Sequence, residues 1–276
     1  MPGLFRIRTL DEVASTNLEV KRAIDAGEPE GLVIRARRQT GGYGRQGRAW
    51  ESPVGGLYFS MLLRPAVPMA QLPTLALATG LAVRRALAGL VRPETAENIQ
   101  VKWPNDIVVA AGAADLPEGA ALPFGLSHRY FKLCGISSEA RGGAVCVGIG
   151  VNVLAPAGAL VEEIARQGKN APAYLADLAC APHLGGDDPA AEVLAAILTE
   201  FEPLYRRWSA EGFAPLAAEY AACEALRGNY VDVVDLEGAP IVSGRVEGVS
   251  DDGRLLVRDE RTGEVAPVAS GEAHIV

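Results

Sequence analysis

No stretch of this chain stays apolar for the length of a membrane span, and the opening Met1-Pro2-Gly3-Leu4-Phe5-Arg6 is too short in apolar length for a secretory leader. Neither membrane insertion nor export is expected, and a cytoplasmic location is. Cysteine is scarce: Cys134, Cys146, Cys180 and Cys223 are scattered, with no Cys-x-x-Cys pair. That argues against a disulfide framework or a zinc ribbon and makes these thiols reduced packing groups. The histidines, His128, His183 and His274, lie too far apart for metal-ligand spacing. No Ser/His/Asp or Cys/His arrangement supports nucleophilic hydrolysis. Positive charge is in deficit, with 26 basic residues against 34 acidic and a net charge of −8. Such a protein has no general attraction for nucleic acid or anionic membrane, so any basic site must be local. There is no internal repeat and no low-complexity tail.

Glycine and local positive charge are concentrated instead. Gln39-Thr40-Gly41-Gly42-Tyr43-Gly44-Arg45-Gln46-Gly47-Arg48 places four glycines and two arginines in ten residues. Glycine lets backbone approach a ligand closely and adopt positive φ. Arginine brings a permanent charge and a planar fork that fits phosphate oxygens. The run is neither a Walker loop nor a dinucleotide fingerprint, because no Gly-Lys-Ser/Thr follows and no helix pattern opens after it. Alone it reads equally well as a basic surface loop.

Apolar residues make up 49% of the 276, enough for a sizeable core. Ser15-Thr16-Asn17-Leu18-Glu19 reads as a helix start with a Thr16–Glu19 capping box, closed by Gly27. Ile34–Arg37 and Gly56–Leu63 read as strands around the glycine run. Gln71–Leu90 has a helical period, Ile99–Trp103 and Ile107–Ala110 read as strands, and 111–128 reads as a long hairpin loop. Phe131–Glu139 and Val145–Val153 follow as strands, and 155–172 as loop. Asp188-Pro189 opens a helix, with a kink expected at Pro203. Trp50 is expected in the core. Strands interleaved with helices indicate an α/β or α+β main domain. Beyond Arg227 only short strands appear, Tyr230–Leu236, Ile241–Val249, Arg254–Arg258 and Glu264–Ala269. They are separated by turns such as Asp252-Gly253, and they read as a small β-barrel.

Three further segments carry candidate chemistry. Lys102-Trp103-Pro104-Asn105-Asp106 puts an ammonium at a strand end, with an amide and a carboxylate beside it. That set suits a carboxylate or phosphate ligand, with Asp106 available to a magnesium shell. Lys132-Leu133-Cys134-Gly135-Ile136 sets a lysine near a strand glycine. Gly148-Ile149-Gly150-Val151-Asn152-Val153 is a strand interrupted by glycine, which often marks a close approach by ligand or backbone. An ordinary strand end, a bulge, or simple capping at Ser15-Thr16-Asn17 remain open readings of each segment alone.

Together these segments resemble biotin protein ligases. Ser15-Thr16-Asn17, the glycine run continuing into Ala49-Trp50, Ser52-Pro53 with Gly56–Ser60, Lys102–Asp106, Lys132–Ile136 and Gly148–Asn152 occur in that family's order and at about its spacing. The resemblance implies an α+β fold: a mixed-sheet catalytic domain of the biotin/lipoate ligase type over 1–226, and an SH3-like β-barrel over 227–276. It implies a two-step reaction, in which biotin and ATP give biotinyl-5′-AMP and biotin then passes to a lysine of a biotin carboxyl carrier domain. ATP and biotin would be substrates, with Mg2+ assisting. Ser15, Thr16, Asn17, Gln39, Gly42, Tyr43, Gly44, Arg45, Lys102 and Gly135 would bind biotin. Arg45, Arg48, Lys102, Asn105, Lys132 and Asn152 would meet the nucleotide. Lys102 and Arg45 would be the catalytic cations, and Asp106 the metal-side carboxylate through water or phosphate.

Tyr43 departs from the family, where many relatives carry a basic residue, and Gln46 is unusual. The 111–128 stretch exceeds the family's usual tight hairpin. Some relatives carry an N-terminal DNA-binding domain; residues 1–14 are too few for one, so no DNA partner is expected, and a monomer or homodimer is. A lipoate or octanoate ligase or transferase, which shares the fold, and a non-catalytic biotin or nucleotide sensor are the competing readings. Lys102-Trp103-Pro104-Asn105-Asp106 favours biotin over lipoate, and Arg45 with Lys102 favours catalysis over sensing.

Overall fold

The structure, a computed structural model, describes residues 3–111, 129–156, 172–178 and 184–276. The stretches 111–128 and 155–172 read as loops lie almost wholly outside these residues, as do Cys180, His128 and His183. Seven strands form one mixed sheet: β1 (Arg6–Val13), β2 (Leu32–Gln39), β3 (Leu57–Leu63), β4 (Ile99–Lys102), β5 (Asp106–Ala111), β6 (Arg129–Arg141) and β7 (Ala144–Val151). Their spatial order is β1-β2-β3-β7-β6-β5-β4. The β1–β2 pair is parallel, joined through helix α1 (Thr16–Asp25), and every other pair is antiparallel.

Alternation along the strands separates two faces. Val33, Leu57, Phe59, Met61 and Val147 point into the large core. That core is filled by α2 (Leu75–Gly89), which follows a 3-10 turn at Met69–Thr74, and by α4 (Pro189–Glu211) and α5 (Ala214–Ala222). The short α3 (Pro93–Ala96) leads into β4. The opposite face buries Leu32, Ile34, Leu62 and Cys146 against Val20 and Ile24 of α1. Among the described residues α1 is too short to cover the rest of this second face, and that is where the site lies.

Local expectations and structure differ at instructive places. The helix expected over Gln71–Leu90 starts at Leu75, because Pro73 cannot donate to a preceding turn and holds residues 69–74 in 3-10 form. Asp188 accepts the Ala191 N–H at 3.1 Å as expected of a cap, and the helix runs on through Pro203. At α1, Ser15 rather than Thr16 takes the cap position, with no side-chain capping bond. The Thr16 hydroxyl is engaged across the sheet instead.

The C-terminal strands β8 (Tyr230–Val234), β9 (Pro240–Val249), β10 (Leu255–Asp259), β11 (Val265–Val268) and β12 (Glu272–Ile275) make a second antiparallel sheet in the order β11-β10-β9-β8-β12. Its edge strands β11 and β12 do not pair, so it is an open SH3-like sheet rather than a closed barrel. The sheet is joined to the main body by residues 223–225, which lie along the free edge of β4: Val101 N–H donates to Cys223 O and Ala225 N–H to Val101 O, both at 2.8 Å. The Trp103 indole N–H donates to Gly253 O at 3.1 Å, so the turn after β4 is clasped by the Asp252-Gly253 hairpin.

Candidate active site

Two rows of residues run across the uncovered face. Lys102 pairs with Asp106, Asp106 with Gly135, and Gly135 with Gly150. Two residues further along, Ser137 pairs with Gly148 and Gly148 with Ser60. Glycine at three positions of these rows lowers the floor of a cavity of about 320 Å³. At Gly148 a Cβ would lie 2.1 Å from Asn17 Oδ1, and at Gly150 it would lie 2.6 Å from the Trp50 indole nitrogen. The sequence thus places no side chain where α1 and Trp50 come down onto the sheet.

One end of the cavity is a closed polar network. Gln39 Oε1 accepts from the Thr16 backbone N–H at 2.8 Å and from the Thr16 hydroxyl at 3.2 Å. Ser60 Oγ lies 2.7 Å from Thr16 Oγ1 and 2.6 Å from Asn17 Oδ1. The Asn17 amide donates to Ser137 Oγ at 3.2 Å and to Glu139 Oε1 at 3.3 Å. Ser15, Thr16, Asn17 and Ser60 are all buried. Buried hydroxyls and amides must be paired, so this network fixes the direction of each group and presents a preorganised set of donors and acceptors.

The other end is cationic. Arg45, Arg48, Lys102 and Lys132 all line the cavity. Arg45 donates to Asn105 Oδ1 at 3.0 Å, while the Asn105 amide donates to Ile136 O at 2.8 Å. Lys132 Nζ sits 2.9 Å from Asp106 Oδ1 and 5.3 Å from the Trp50 ring centre. Arg48 forms an ion pair with Glu272 of β12. Burial pushes the Lys102 ammonium below its ordinary pKa; Asp106 opposes this, Lys132 adds to it, and Glu272 opposes it again. Burial likewise lowers Arg45, against Glu272 and Asp106. Desolvated cations of this kind are stabilised by an incoming anion more than exposed ones are.

The glycine run folds as a small hairpin over the cavity. Gly44 N–H donates to Arg48 O at 2.8 Å and Trp50 N–H to Gly42 O at 2.9 Å, with Arg45–Gly47 as a 3-10 turn. Gln46 adopts φ +59, a left-handed conformation uncommon outside glycine, which reverses the chain between the two arginines. Gly42 itself does not line the cavity. It lies where a Cβ would meet Ser52 Oγ at 2.5 Å and Trp50 O at 2.7 Å, so it seats the hairpin.

Most of the residues singled out in the sequence are therefore neighbours: Ser15, Thr16, Asn17, Gln39, Tyr43, Gly44, Arg45, Arg48, Lys102, Asn105, Asp106, Lys132 and Gly135 line one cavity. Asn152 is outside that lining; its amide donates to Lys132 O at 3.0 Å and fixes the strand that carries Lys132. Trp50 is not a core residue. Its indole lies on the cavity floor over Gly135 and Gly150, half-buried.

Sequence reasoning passed over Lys21, Ser60, Ser137, Glu139, Glu272 and His274. Lys21 donates to the Tyr43 hydroxyl at 3.0 Å and pairs with Glu139. A cation therefore stands behind Tyr43. A period of four from Asn17 to Lys21 was the available signal. Glu272 and His274 sit on a four-residue strand too short to register as one.

The family profile described as "Biotin/lipoate A/B protein ligase family" matches residues 11–154. The "Biotin--[acetyl-CoA-carboxylase] ligase" of Mycobacterium tuberculosis is 31% identical over 273 residues, 96% of this chain and 88% of that protein. Its counterpart from Paracoccus denitrificans is 28% identical, over 92% and 95%. Among solved structures, the biotin protein ligase from Aquifex aeolicus in complex with biotin and ATP superposes with a TM-score of 0.74 at 27% identity, covering 98% of each chain. The profile spans about half of the chain, the curated relatives and the fold nearly all of it, and the chain belongs to the biotin/lipoate A/B protein ligase family.

Proposed function

We propose that this protein is a biotin protein ligase. It activates biotin with ATP to biotinyl-5′-AMP, then transfers biotin to a lysine of a biotin carboxyl carrier domain in the cytoplasm. The observation that carries the reading is the join of two unlike half-sites in one cavity: a neutral hydrogen-bonding network at Ser15–Asn17, Gln39 and Ser60, and four cations at Arg45, Arg48, Lys102 and Lys132. A ligand with a polar uncharged head and a carboxylate tail, set against a triphosphate, has that distribution.

Adenylation pushes a carboxylate onto an α-phosphate, so mutual repulsion dominates the barrier. Preorganised positive charge at the reacting oxygens lowers it. In this reading Lys102 bridges the biotin carboxylate and the α-phosphate. Arg45 and Arg48 gather phosphate oxygens from the hairpin, and Lys132 receives the nucleotide with Asn105 and Asn152 in support. Ser15, Thr16, Asn17 and Gln39 grip the ureido ring, while Gly135 and the hairpin residues Tyr43–Arg45 enclose biotin, with Gly42 seating the hairpin. The carrier lysine then attacks the acyl carbon and AMP leaves.

No cluster of three or more metal-ligating side chains exists among the described residues. The Asp106 carboxylate suits a magnesium that enters on the nucleotide, with phosphate and water completing its shell. There it would neutralise phosphate charge. The competing lipoate and octanoate readings are separated by assay. Purified protein with a carrier domain should transfer biotin only when ATP is present; transfer of octanoate or lipoate but not biotin would refute the assignment.

A further inference from the structure

Three of the four cations of the site have an electrostatic partner in common. Glu272 lies on β12, the last strand of the C-terminal sheet, and its side chain is largely buried at the cavity wall. It pairs directly with Arg48, and its charge is also felt at Arg45 and Lys102. His274, two residues on and on the same face, reaches Glu272 at 3.8 Å. A second contact ties the hairpin to this sheet: the Gln46 amide donates to Leu236 O at 3.4 Å. A carboxylate so placed is out of keeping with a site for a triphosphate, because it would repel every phosphate that Arg45, Arg48 and Lys102 attract.

We propose that Glu272 is a built-in counter-anion, which holds Arg48 in the ligand-free protein and is exchanged for nucleotide phosphate on binding. The inference rests on the reading of this cavity as an ATP site. Arg48 has room to turn, since the space around the neighbouring Gly47, at φ +69, is open. When Arg48 turns to phosphate, the glycine hairpin loses its ion pair to the C-terminal sheet and keeps the longer Gln46–Leu236 contact. Nucleotide binding and loosening of the hairpin are then one step, and the C-terminal sheet acts in the reaction through its grip on the empty site. The pair is a weak latch: Arg48 is 61% exposed, and such pairs are readily displaced.

The test is the KM for ATP in pyrophosphate release by wild type, Glu272→Gln, Arg48→Gln and the double variant. Glu272→Gln should lower the KM for ATP by about twofold to fivefold, the range an exposed ion pair spans. A variant that merely damaged the sheet could not tighten nucleotide binding. In the Arg48→Gln background the gain should shrink, as coupling between the two side chains requires. An unchanged or raised KM in Glu272→Gln would overturn the counter-anion role and make Glu272 structural or a direct support for the nucleotide. Wild type that neither binds nor turns over ATP would instead bring down the ligase reading itself.

Discussion

At the scale of single residues, the account rests on charge and on missing side chains. Lys102 is a half-buried ammonium that feels the Asp106 and Glu272 charges. Lys102→Ala should keep the fold and lose about 10²- to 10³-fold in adenylation rate, the usual size of a preorganised electrostatic contact. Wild-type-like pyrophosphate release from a folded Lys102→Ala would remove it from the mechanism. Gly148 is the complementary case. Its hydrogen is replaced in Gly148→Ala by a methyl that would lie 2.1 Å from Asn17 Oδ1, so the Asn17 amide must leave its bonds to Ser60 and Ser137. Biotin affinity measured by calorimetry should fall about tenfold or more, the effect of unmaking one or two buried hydrogen bonds. Unaltered affinity would show that Asn17 does not face the ligand.

At the scale of elements, the strands are the frame and the glycine hairpin lies over the cavity they carry. Arg45 is tied to Asn105 on the turn between β4 and β5, so the hairpin is clamped to the frame by one guanidinium. In Arg45→Gly the clamp is gone, and the adenylate should escape faster. The readout is biotinylation of bystander proteins, together with the dissociation rate of biotinyl-5′-AMP; an unchanged rate would mean that the hairpin is no lid. Which elements could be read in advance follows from how local their signals are. Of the main sheet's seven strands, β1 is mostly exposed and carries no readable apolar pattern; the other six and the Asp188 cap follow from short apolar runs and from one side chain's bonding. The capping role of Thr16 does not, because its hydroxyl is recruited by Gln39 and Ser60, 23 and 44 residues away. Likewise Trp50 looks like core until Gly135 and Gly150 are seen side by side on neighbouring strands. The motifs predict which residue types meet. Long-range pairing decides their order across the sheet, and no local pattern records the arrival of Glu272 from the other end of the chain.

At the scale of the whole molecule, the junction between the two sheets carries an unusual group. Glu224 is 8% exposed beside β4; its Oε1 accepts Leu226 N–H at 2.9 Å, and its Oε2 has no partner. Burial pushes its pKa from 4.5 up to about 7, opposed by the backbone N–H groups of Leu226 and Arg227 and by the Arg227 charge. The folded state thus prefers the protonated form. Its contribution is complete below about pH 4.5 and is lost as pH rises through about 7. Above that, the ionised group costs on the order of 3 kcal/mol relative to an unburied carboxyl. Glu224→Gln should therefore raise Tm at pH 8 and leave it nearly unaltered at pH 4.5; equal shifts at both values would show that ionisation of Glu224 is not what strains the junction. The wider design is a main sheet that carries both half-sites on one face, while the C-terminal sheet clasps the Trp103 turn and the arginine hairpin from the side.

The central claim is that the neutral network and the cation cluster act together on one acid and one nucleotide. It is tested most directly by incubating the purified protein with ATP and, separately, biotin, lipoate or octanoate, and weighing the acyl-adenylate by mass spectrometry. The account predicts biotinyl-5′-AMP, lost in Lys102→Ala, with little adenylate from the other acids. Adenylates of lipoate or octanoate without any of biotin, or no adenylate from folded wild-type protein, would contradict it.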